Sequence, residues 1–306
     1  MIEIRDLTKI YGRTQKPAVN KLNLEINDGE ILGFAGLNGA GKSTTIRLIS
    51  GIIFPSSGHV VVNGKDIVKN KIEASKNIGW VPELPNFEPN SKPIPLLKYY
   101  AGFYGLRGPE IEDKIESLLK QFNIWEARNR KLKEYSQGMK KRFSIAAALI
   151  GDPQNFLFDE TLNGLDPEGV RNMRDFMVKL KKDGKCVFLS SHILSELENV
   201  ADRIAIIKKG ELIKIVERNE LSSLGSTVVK VRIENMDKGA MDILEKYGKV
   251  ETNGNLLIVK DLTISSTEAR KINNELAKND YDVSQFEVSG ENLEEYFLGL
   301  VGGGGQ

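Results

Sequence analysis

The sequence predicts an α/β fold: a sheet domain that is interrupted by a helical subdomain and followed by a small α+β domain. Three observations predict it. Short β-branched runs alternate with amphipathic stretches over the first part of the chain, as strands and helices do in layered folds. From Pro82 to Ile150 the strand pattern disappears and a helical period dominates. After Thr227 the elements are ordered β-α-β-β-α-β, which is typical of a ferredoxin-like sandwich.

The first predicted domain spans residues 1–218. Its opening segment, Ile2–Leu7, alternates apolar and polar residues as a half-buried strand does. The last two strands form a hairpin that turns at Lys208-Lys209-Gly210. The predicted strands that follow the first are Leu22–Ile26, Ile31–Ala35, Val60–Val62, Ile78–Val81, Phe156–Phe158, Val187–Ser190, Arg203–Ile207 and Glu211–Val216.

The helical subdomain is predicted over about residues 82–150. Five prolines from Pro82 to Pro95 form an entry that cannot be one continuous helix. Beyond them, apolar residues recur at helical spacing and predict the helices Ile94–Tyr104, Ile111–Phe122 and Ser136–Ile150.

A second domain is predicted over residues 226–300. It contains a hairpin around Asn253-Gly254, a signal for a tight turn. A closing helix, Asn292–Leu300, and a flexible tail, residues 301–306, follow it. The other predicted elements are Val228–Ile233, Gly239–Tyr247, Val250–Thr252, Leu256–Val259, Ser266–Lys278 and Val283–Val288.

Composition narrows the class of protein. Over 306 residues the net charge is only +1 and 40% of the residues are hydrophobic, so general attraction to nucleic acid or anionic lipid is not expected. No apolar run approaches the length of a membrane span, and the N-terminus has no signal-peptide character. Cys186, the single cysteine, lies in a predicted strand and is expected to be a buried thiol. These features predict a cytoplasmic protein.

A glycine-rich stretch follows the strand Ile31–Ala35 and precedes a helix-compatible run. It satisfies the phosphate-loop pattern G-x-x-x-x-G-K-[ST]. The glycines let successive backbone N–H groups point at a phosphate chain, and the helix N-terminus adds positive potential. Lys42 is expected to reach the β- and γ-phosphates, and the Ser43 hydroxyl to bind Mg²⁺. This predicted nucleotide-binding stretch of a P-loop NTPase contains Gly36, Leu37, Asn38, Gly39, Ala40, Gly41, Lys42, Ser43 and Thr44.

Three further stretches narrow the class of NTPase. An apolar strand ends in Asp159, which is placed to hold the Mg²⁺ shell, and in Glu160, which can polarise the attacking water. Solvated strand ends often carry such carboxylates as well. Ser136 is a good helix N-cap, and a Ser and a Gly at a helix start also form an anion site. His192 directly follows a strand, where ligands gather in open α/β sheets, whereas His59 is expected to be a surface strand residue.

In this order, the stretches resemble the nucleotide-binding subunits of the ABC (ATP-binding cassette) family over about residues 1–218. Gly36–Thr44 matches the family's phosphate loop, and Phe156–Glu160 matches its second nucleotide motif with the catalytic glutamate. Ser136-Gln137-Gly138-Met139 matches the family signature in a form seen in exporter-type subunits. The C-terminal domain is similar to the accessory domain of some of these subunits.

The same resemblance assigns roles to further residues. It implies that Tyr11 stacks on adenine, that His192 is the switch histidine, and that Asp166 lies in the dimer-contacting loop Asn163-Gly164-Leu165-Asp166. Two positions depart from the family pattern. Glu83 stands where glutamine is usual; a carboxylate there can still bind the metal or a water, but it adds negative charge near the γ-phosphate. Thr161-Leu162 replaces the common Pro-Thr and is expected to affect loop stiffness.

The resemblance implies an ATPase that uses ATP and Mg²⁺, with Lys42, Glu160 and His192 in catalysis. Two copies would meet head to tail, with each ATP between the phosphate loop of one copy and residues Ser136, Gln137 and Gly138 of the other. The pair would drive a separate membrane-spanning subunit, in the direction of export, from the inner face of the cell membrane. No nucleic acid is expected as a partner.

Two other classes remain open at this point. A soluble mechanical ATPase that acts on ribosomes or nucleic acid is one, although such relatives usually carry two cassettes, a long coiled-coil insert or zinc-binding cysteines. A P-loop kinase or GTPase is the other, but it leaves the Ser136–Gly138 stretch and His192 unexplained, and the chain lacks an Asn-Lys-x-Asp segment.

Overall fold

The computed structural model describes residues 1–12, 16–218, 220, 227–260, 262–264 and 268–290. The chain divides into two compact units, Met1–Arg218 and Asn219–Gln306. The predicted closing helix Asn292–Leu300 and the tail 301–306 lie outside the described residues, and both stay predictions.

The first unit alternates strands and helices, and its middle part is helical. In chain order its elements are β1 (Ile2–Lys9), β2 (Val19–Ile26), β3 (Ile31–Ala35), α1 (Lys42–Ile49), β4 (Ser57–Val62), β5 (Lys65–Asp66), α2 (Lys71–Ser75), β6 (Ile78–Val81), α3 (Pro93–Phe103), α4 (Pro109–Gln121), α5 (Gln137–Leu149), β7 (Asn155–Asp159), α6 (Pro167–Lys182), β8 (Cys186–Ser191), α7 (Leu194–Glu198), β9 (Arg203–Lys208) and β10 (Glu211–Glu217).

The strands of this unit form two sheets. An antiparallel sheet has the order β2-β1-β4-β5, and a six-stranded sheet has the order β10-β9-β3-β8-β7-β6. The second is parallel except for the β9–β10 hairpin, whose two-residue turn places Lys209 and Gly210 at positive φ, as type I′ hairpin turns require. The burial patterns explain why the strands divide into these two sheets. β2 alternates buried and exposed residues, whereas β3, β7 and β8 are buried along their whole length, as parallel strands covered on both faces are.

The helical subdomain has its own core, and no strand occurs in residues 82–150. The three predicted helices are present as α3, α4 and α5. Leu97, Leu119 and Phe143, one from each helix, are fully buried in a shared apolar cluster. Ser136 precedes α5 as its N-cap, because its hydroxyl oxygen accepts a hydrogen bond from the Met139 N–H. This confirms the capping role expected of Ser136.

Three helices were missing from the sequence prediction: α2, α6 and α7. The signals for α6 are present, since Asp166 caps its N-terminus and Pro167 occupies the first turn. Met173, Met177 and Leu180 then recur at helical spacing on its buried face.

The second unit is an antiparallel sheet packed against two helices. Its elements are β11 (Thr227–Ile233), α8 (Lys238–Glu245), β12 (Lys249–Asn253), β13 (Leu256–Lys260), α9 (Arg270–Lys278) and β14 (Val283–Gly290), with the strand order β12-β13-β11-β14. This is the ferredoxin-like arrangement that the element order predicts. The hairpin turn lies at Gly254-Asn255, one residue later than predicted, because Asn253 still pairs with Leu256.

Two further observations concern the single cysteine and the length of the helices. Cys186 is buried in β8, and burial raises the pKa of its thiol to about 12, so it is an inert core residue. Among the helices of the described ranges, none combines the length and the apolar character needed to cross a bilayer.

Candidate nucleotide-binding site

The predicted site residues follow three neighbouring parallel strands. β3, β8 and β7 are adjacent in the sheet, with Ala35 beside Ser191 and Asp159 beside Ser190. The glycine-rich loop after β3, the histidine after β8 and the carboxylates at the end of β7 therefore meet at one edge. The carboxyl edge of an open α/β sheet is where such folds bind ligands.

The loop Gly36–Gly41 turns sharply between β3 and α1. At Gly41, where φ is +112°, a Cβ atom would lie 2.5 Å from the carbonyl oxygen of Ala18. At Gly36 a Cβ would lie 2.8 Å from Cγ2 of Ile207. Both positions require glycine because neighbouring atoms leave no room for a side chain. The loop thus packs closely against Ala18, the residue before β2, and against Ile207 of β9, and α1 starts directly after it.

Lys42 is the first residue of α1 and only 4% exposed. Its ammonium group donates hydrogen bonds to the carbonyl oxygens of Gly36, at 2.6 Å, and Leu37, at 3.3 Å. It also lies 3.2 Å from Oε1 of Glu160. A buried ammonium with these partners is held inside the loop, where it concentrates positive charge.

Ser43 and Asp159 bring two oxygen atoms together beside the loop. The Ser43 hydroxyl donates to Oδ1 of Asp159 at 3.2 Å, and the Ser190 hydroxyl donates to the same oxygen at 2.8 Å. Burial raises the pKa of the Asp159 carboxyl, although both hydroxyls act in the opposite direction. The described residues contain no cluster of three or more His, Cys, Asp or Glu that could form a metal site. One carboxylate and one hydroxyl fit Mg²⁺, which keeps several waters and shares phosphate oxygens rather than occupying an all-protein cage.

Glu160 follows β7, and its carboxylate is held from three sides. In addition to Lys42 at Oε1, the Asn163 amide donates to Oε2 at 2.8 Å and Nδ1 of His192 lies 2.9 Å from the same oxygen. Burial raises the pKa of Glu160, but Lys42 and His192 outweigh it, so the pKa lies below the ordinary value. The side chain is therefore ionised at neutral pH. Its backbone is in the left-handed region, with φ at +45°, which strains a non-glycine residue.

The signature stretch and Asp166 lie apart from this cluster, and their hydrogen bonds are local. Ser136 and Gln137 are exposed at the start of α5, and a Cβ at Gly138 would meet open space. Asp166 is exposed as the N-cap of α6, where Oδ1 accepts from the Gly169 N–H at 3.1 Å. The structure therefore groups Lys42, Ser43, Asp159, Glu160 and His192, and leaves these two helix starts facing solvent.

Tyr11 and Glu83 are both at the surface. Tyr11 is 44% exposed beyond the end of β1, and the Lys9 ammonium lies 5.3 Å from its ring centroid. Glu83 is exposed two residues after β6. No described hydrogen bond or ion pair joins Glu83 to Ser43 or Asp159, and its metal-binding role stays a prediction.

Sequence reasoning missed the supporting residues Ser190, Asn163 and Lys141. Ser190 bridges β7 and β8, since its hydroxyl donates to Asp159 and accepts from the Glu160 N–H at 3.1 Å. The signal for Ser190 was its place at the end of an apolar strand, beside His192. Lys141 carried a signal too, because it interrupts the apolar face of the predicted helix.

Replacing Asp159 with Asn is expected to raise the melting temperature at pH 7.5, without Mg²⁺, by a few degrees. A carboxyl group whose pKa is raised in the folded state costs stability above its unfolded pKa, and the cost disappears as the pH falls below that value. The gain should therefore shrink as the pH is lowered from 7.5 to about 4. Thermal melts of Asp159→Asn and of Asp113→Asn, an exposed control on α4, measure it. A lower melting temperature, or a gain that is independent of pH, would contradict the prediction.

Comparison with known proteins identifies the family. Residues 19–163 match the family model described as ABC transporter. The bacitracin transport ATP-binding protein of Bacillus licheniformis is 33% identical over 309 residues, which cover 99% of this chain and 98% of that protein. The Nod factor export ATP-binding protein I of Cupriavidus pinatubonensis is 31% identical over 259 residues, which cover 84% of this chain and 79% of that protein.

A solved structure supports the same assignment. A dimeric ATP-binding cassette in a post-hydrolysis state, bound to ADP and Pi, is similar with a TM-score of 0.64 and 25% identity, over 71% of this chain and 99% of that one. The chain therefore belongs to the ABC transporter family, as an ATP-binding subunit that hydrolyses ATP.

Proposed function

We propose that two copies of this chain close around two ATP molecules and that their hydrolysis drives a separate membrane-spanning subunit in export. The observation that carries the proposal is the meeting of the phosphate loop, Glu160 and His192 at the edge of three adjacent strands. Relatives named for bacitracin transport and for Nod factor export support the transport role and its direction. The dimeric cassette with bound ADP and Pi supports pairing.

The triphosphate is bound mainly by the loop before α1. Successive backbone N–H groups of residues 36–44 and the positive end of α1 attract the phosphate oxygens. Lys42 then moves its hydrogen bonds from Gly36 and Leu37 to the β- and γ-phosphates. Ser43 and Asp159 would hold Mg²⁺, which when bound offsets negative charge on the phosphates.

Glu160 orients the attacking water. Its carboxylate is ionised at neutral pH because Lys42 and His192 lower its pKa, so it can accept a hydrogen bond from water. A γ-phosphate draws the Lys42 ammonium away from Glu160 and leaves one carboxylate oxygen for that water. His192, whose ring contacts Oε2 of Glu160, binds the γ-phosphate. Phosphoryl transfer requires mainly such positioning and charge stabilisation.

The exposed N-termini of α5 and α6 in one copy complete the nucleotide site of the other copy. α5 has 13 residues and an exposed N-terminus, so residues Ser136–Gly138 can bind the γ-phosphate held by the partner copy. Asp166 contacts the partner at the same interface. Tyr11 stacks on the adenine, and Glu83 would hold Mg²⁺ or a water near it.

Replacing Glu160 with Gln is expected to lower the ATPase rate at least about 100-fold, because general-base residues contribute roughly that much. ATP binding persists, and an ATP-loaded dimer accumulates. A coupled ATPase assay and light scattering after gel filtration measure both. Glu110→Gln, an exposed change on α4, is the control and should keep the wild-type rate. Full ATPase activity in Glu160→Gln would remove Glu160 from this role.

The membrane-spanning subunit docks in a groove between β6 and the helical subdomain. The groove, about 690 Å³ in volume, is lined by Trp80, Tyr100, Phe103 and Tyr104 among others. Phe103 is 62% exposed, and exposed aromatic clusters of this kind are typical of protein interfaces. The loop that carries Glu83 borders the groove through Pro82 and Pro85, so a docked subunit touches a segment next to the nucleotide. Through this partner the chain is held at the inner face of the cell membrane.

Replacing Phe103 with Glu is expected to abolish co-purification with a polytopic membrane protein from detergent-solubilised membranes, because a charge in an apolar contact is costly to bury. The ATPase activity of the isolated chain stays within about twofold, since Phe103 lies at the end of α3 and no described hydrogen bond, ion pair or ring contact joins it to the nucleotide-binding residues. Ile213→Glu is the matched control, because Ile213 is exposed on β10 at the opposite edge of the sheet. Mass spectrometry identifies the partner. Unchanged recovery in Phe103→Glu would contradict the groove, and recovery of ribosomes or RNA would favour the soluble mechanical ATPase.

A further inference from the structure

Lys141 is a buried cation on the signature helix that the proposed mechanism does not use. It lies on α5, five residues after Ser136, and is 6% exposed. Its ammonium group donates to the carbonyl oxygen of Asn163 at 2.6 Å and lies 3.5 Å from the carbonyl oxygen of Glu160. Lys141 therefore ties the signature helix to the loop that carries the catalytic carboxylate.

Three carboxylates from three different segments act on this ammonium group. They belong to Glu83 after β6, Glu160 after β7 and Glu196 on α7, four residues after His192 in the sequence. Burial lowers the pKa of Lys141, and the three carboxylates partly oppose that shift. A buried charge of this kind gives little net stability compared with an apolar side chain of similar size. The contribution of Lys141 therefore lies in the positions that its hydrogen bonds impose on the loop after β7.

Asn163 extends the connection to the carboxylate itself. Its carbonyl oxygen accepts from Lys141, while its side-chain amide donates to Oε2 of Glu160. Since Glu160 has a strained backbone, with φ at +45°, the surrounding contacts must hold it in place. A shift of α5 would therefore act on Asn163 through Lys141, and through Asn163 on the Glu160 carboxylate.

We propose that Lys141 is a positioning residue that couples the start of the signature helix to Glu160 of the same copy. When Ser136–Gly138 bind the γ-phosphate in the partner's site, α5 moves and Lys141 aligns Glu160 for hydrolysis in its own site. This inference rests on the proposed head-to-tail pair. It makes hydrolysis at one ATP depend on occupancy of the other.

Lys141→Met tests the proposal, because it removes the charge and the hydrogen-bond donors but keeps most of the length of the unbranched side chain. We expect the affinity for a non-hydrolysable ATP analogue with Mg²⁺ to stay within about twofold. The kcat should fall at least about tenfold, and the Hill coefficient for ATP should fall to about 1, as expected when coupling between sites is lost. Lys140→Met, on the same helix and without a described contact to the Glu160 loop, should keep wild-type values. Lys141→Arg should recover part of the kcat.

Several outcomes would overturn the proposal. Lys141→Met with the kcat and Hill coefficient of the wild type would do so, as would equal losses of kcat and nucleotide affinity, which indicate general damage. Where Lys141→Met does not fold, Lys141→Gln, whose amide N–H groups can still donate hydrogen bonds but carry no charge, is measured in the same way and judged by the same criteria. A wild-type chain that binds ATP but neither pairs nor responds cooperatively contradicts the proposed function instead, whatever Lys141 does.

Discussion

The adjacency of β3, β8 and β7 is the constraint on which the site depends. The three strands are parallel neighbours, so their carboxyl ends deliver the phosphate loop, His192 and the Glu160 carboxylate to the same edge. None of these residues lies near the others in the sequence. Because the strands are buried along their whole length, shifting one past another would expose apolar surface, which costs about 25 cal/mol per Å². The core of the sheet thus fixes the distances within the site.

Within this arrangement of strands, burial and neighbouring charges determine the pKa values of Glu160 and Asp159. Glu160 is shared between Lys42 and His192, and these neighbours keep it ionised, whereas Asp159 at the end of the same strand has a raised pKa because burial dominates there. The two adjacent carboxylates therefore differ. Glu160 is ionised and suited to accept a hydrogen bond from water, whereas the charged form of Asp159 is stabilised when a cation lies beside it. The N-termini of α5 and α6 are exposed, and they are the surfaces that the proposed pairing of two copies would use.

Much of the fold and of the candidate site was predictable from local sequence. The phosphate loop, the Asp159–Glu160 pair and His192 follow apolar runs that predict strands, and a strand followed by a loop is enough to place them at a sheet edge. The division into two sheets was not predictable, because strand pairing is set by contacts between distant segments. The helix α6 was missed despite Asp166 and Pro167 at its start. The contact of Lys141 with Asn163 could not be predicted either, since it depends on how α5 packs against a loop 22 residues away.

The central claim is that the loop before α1 binds the triphosphate of ATP and that Lys42 is its principal cation. Isothermal titration calorimetry with Mg²⁺ and ATP, on the wild type and on Lys42→Ala, tests it most directly. Loss of charge-assisted hydrogen bonds predicts a dissociation constant at least about tenfold higher in Lys42→Ala, with an unchanged fold by circular dichroism. Equal affinities in the two proteins would contradict the claim.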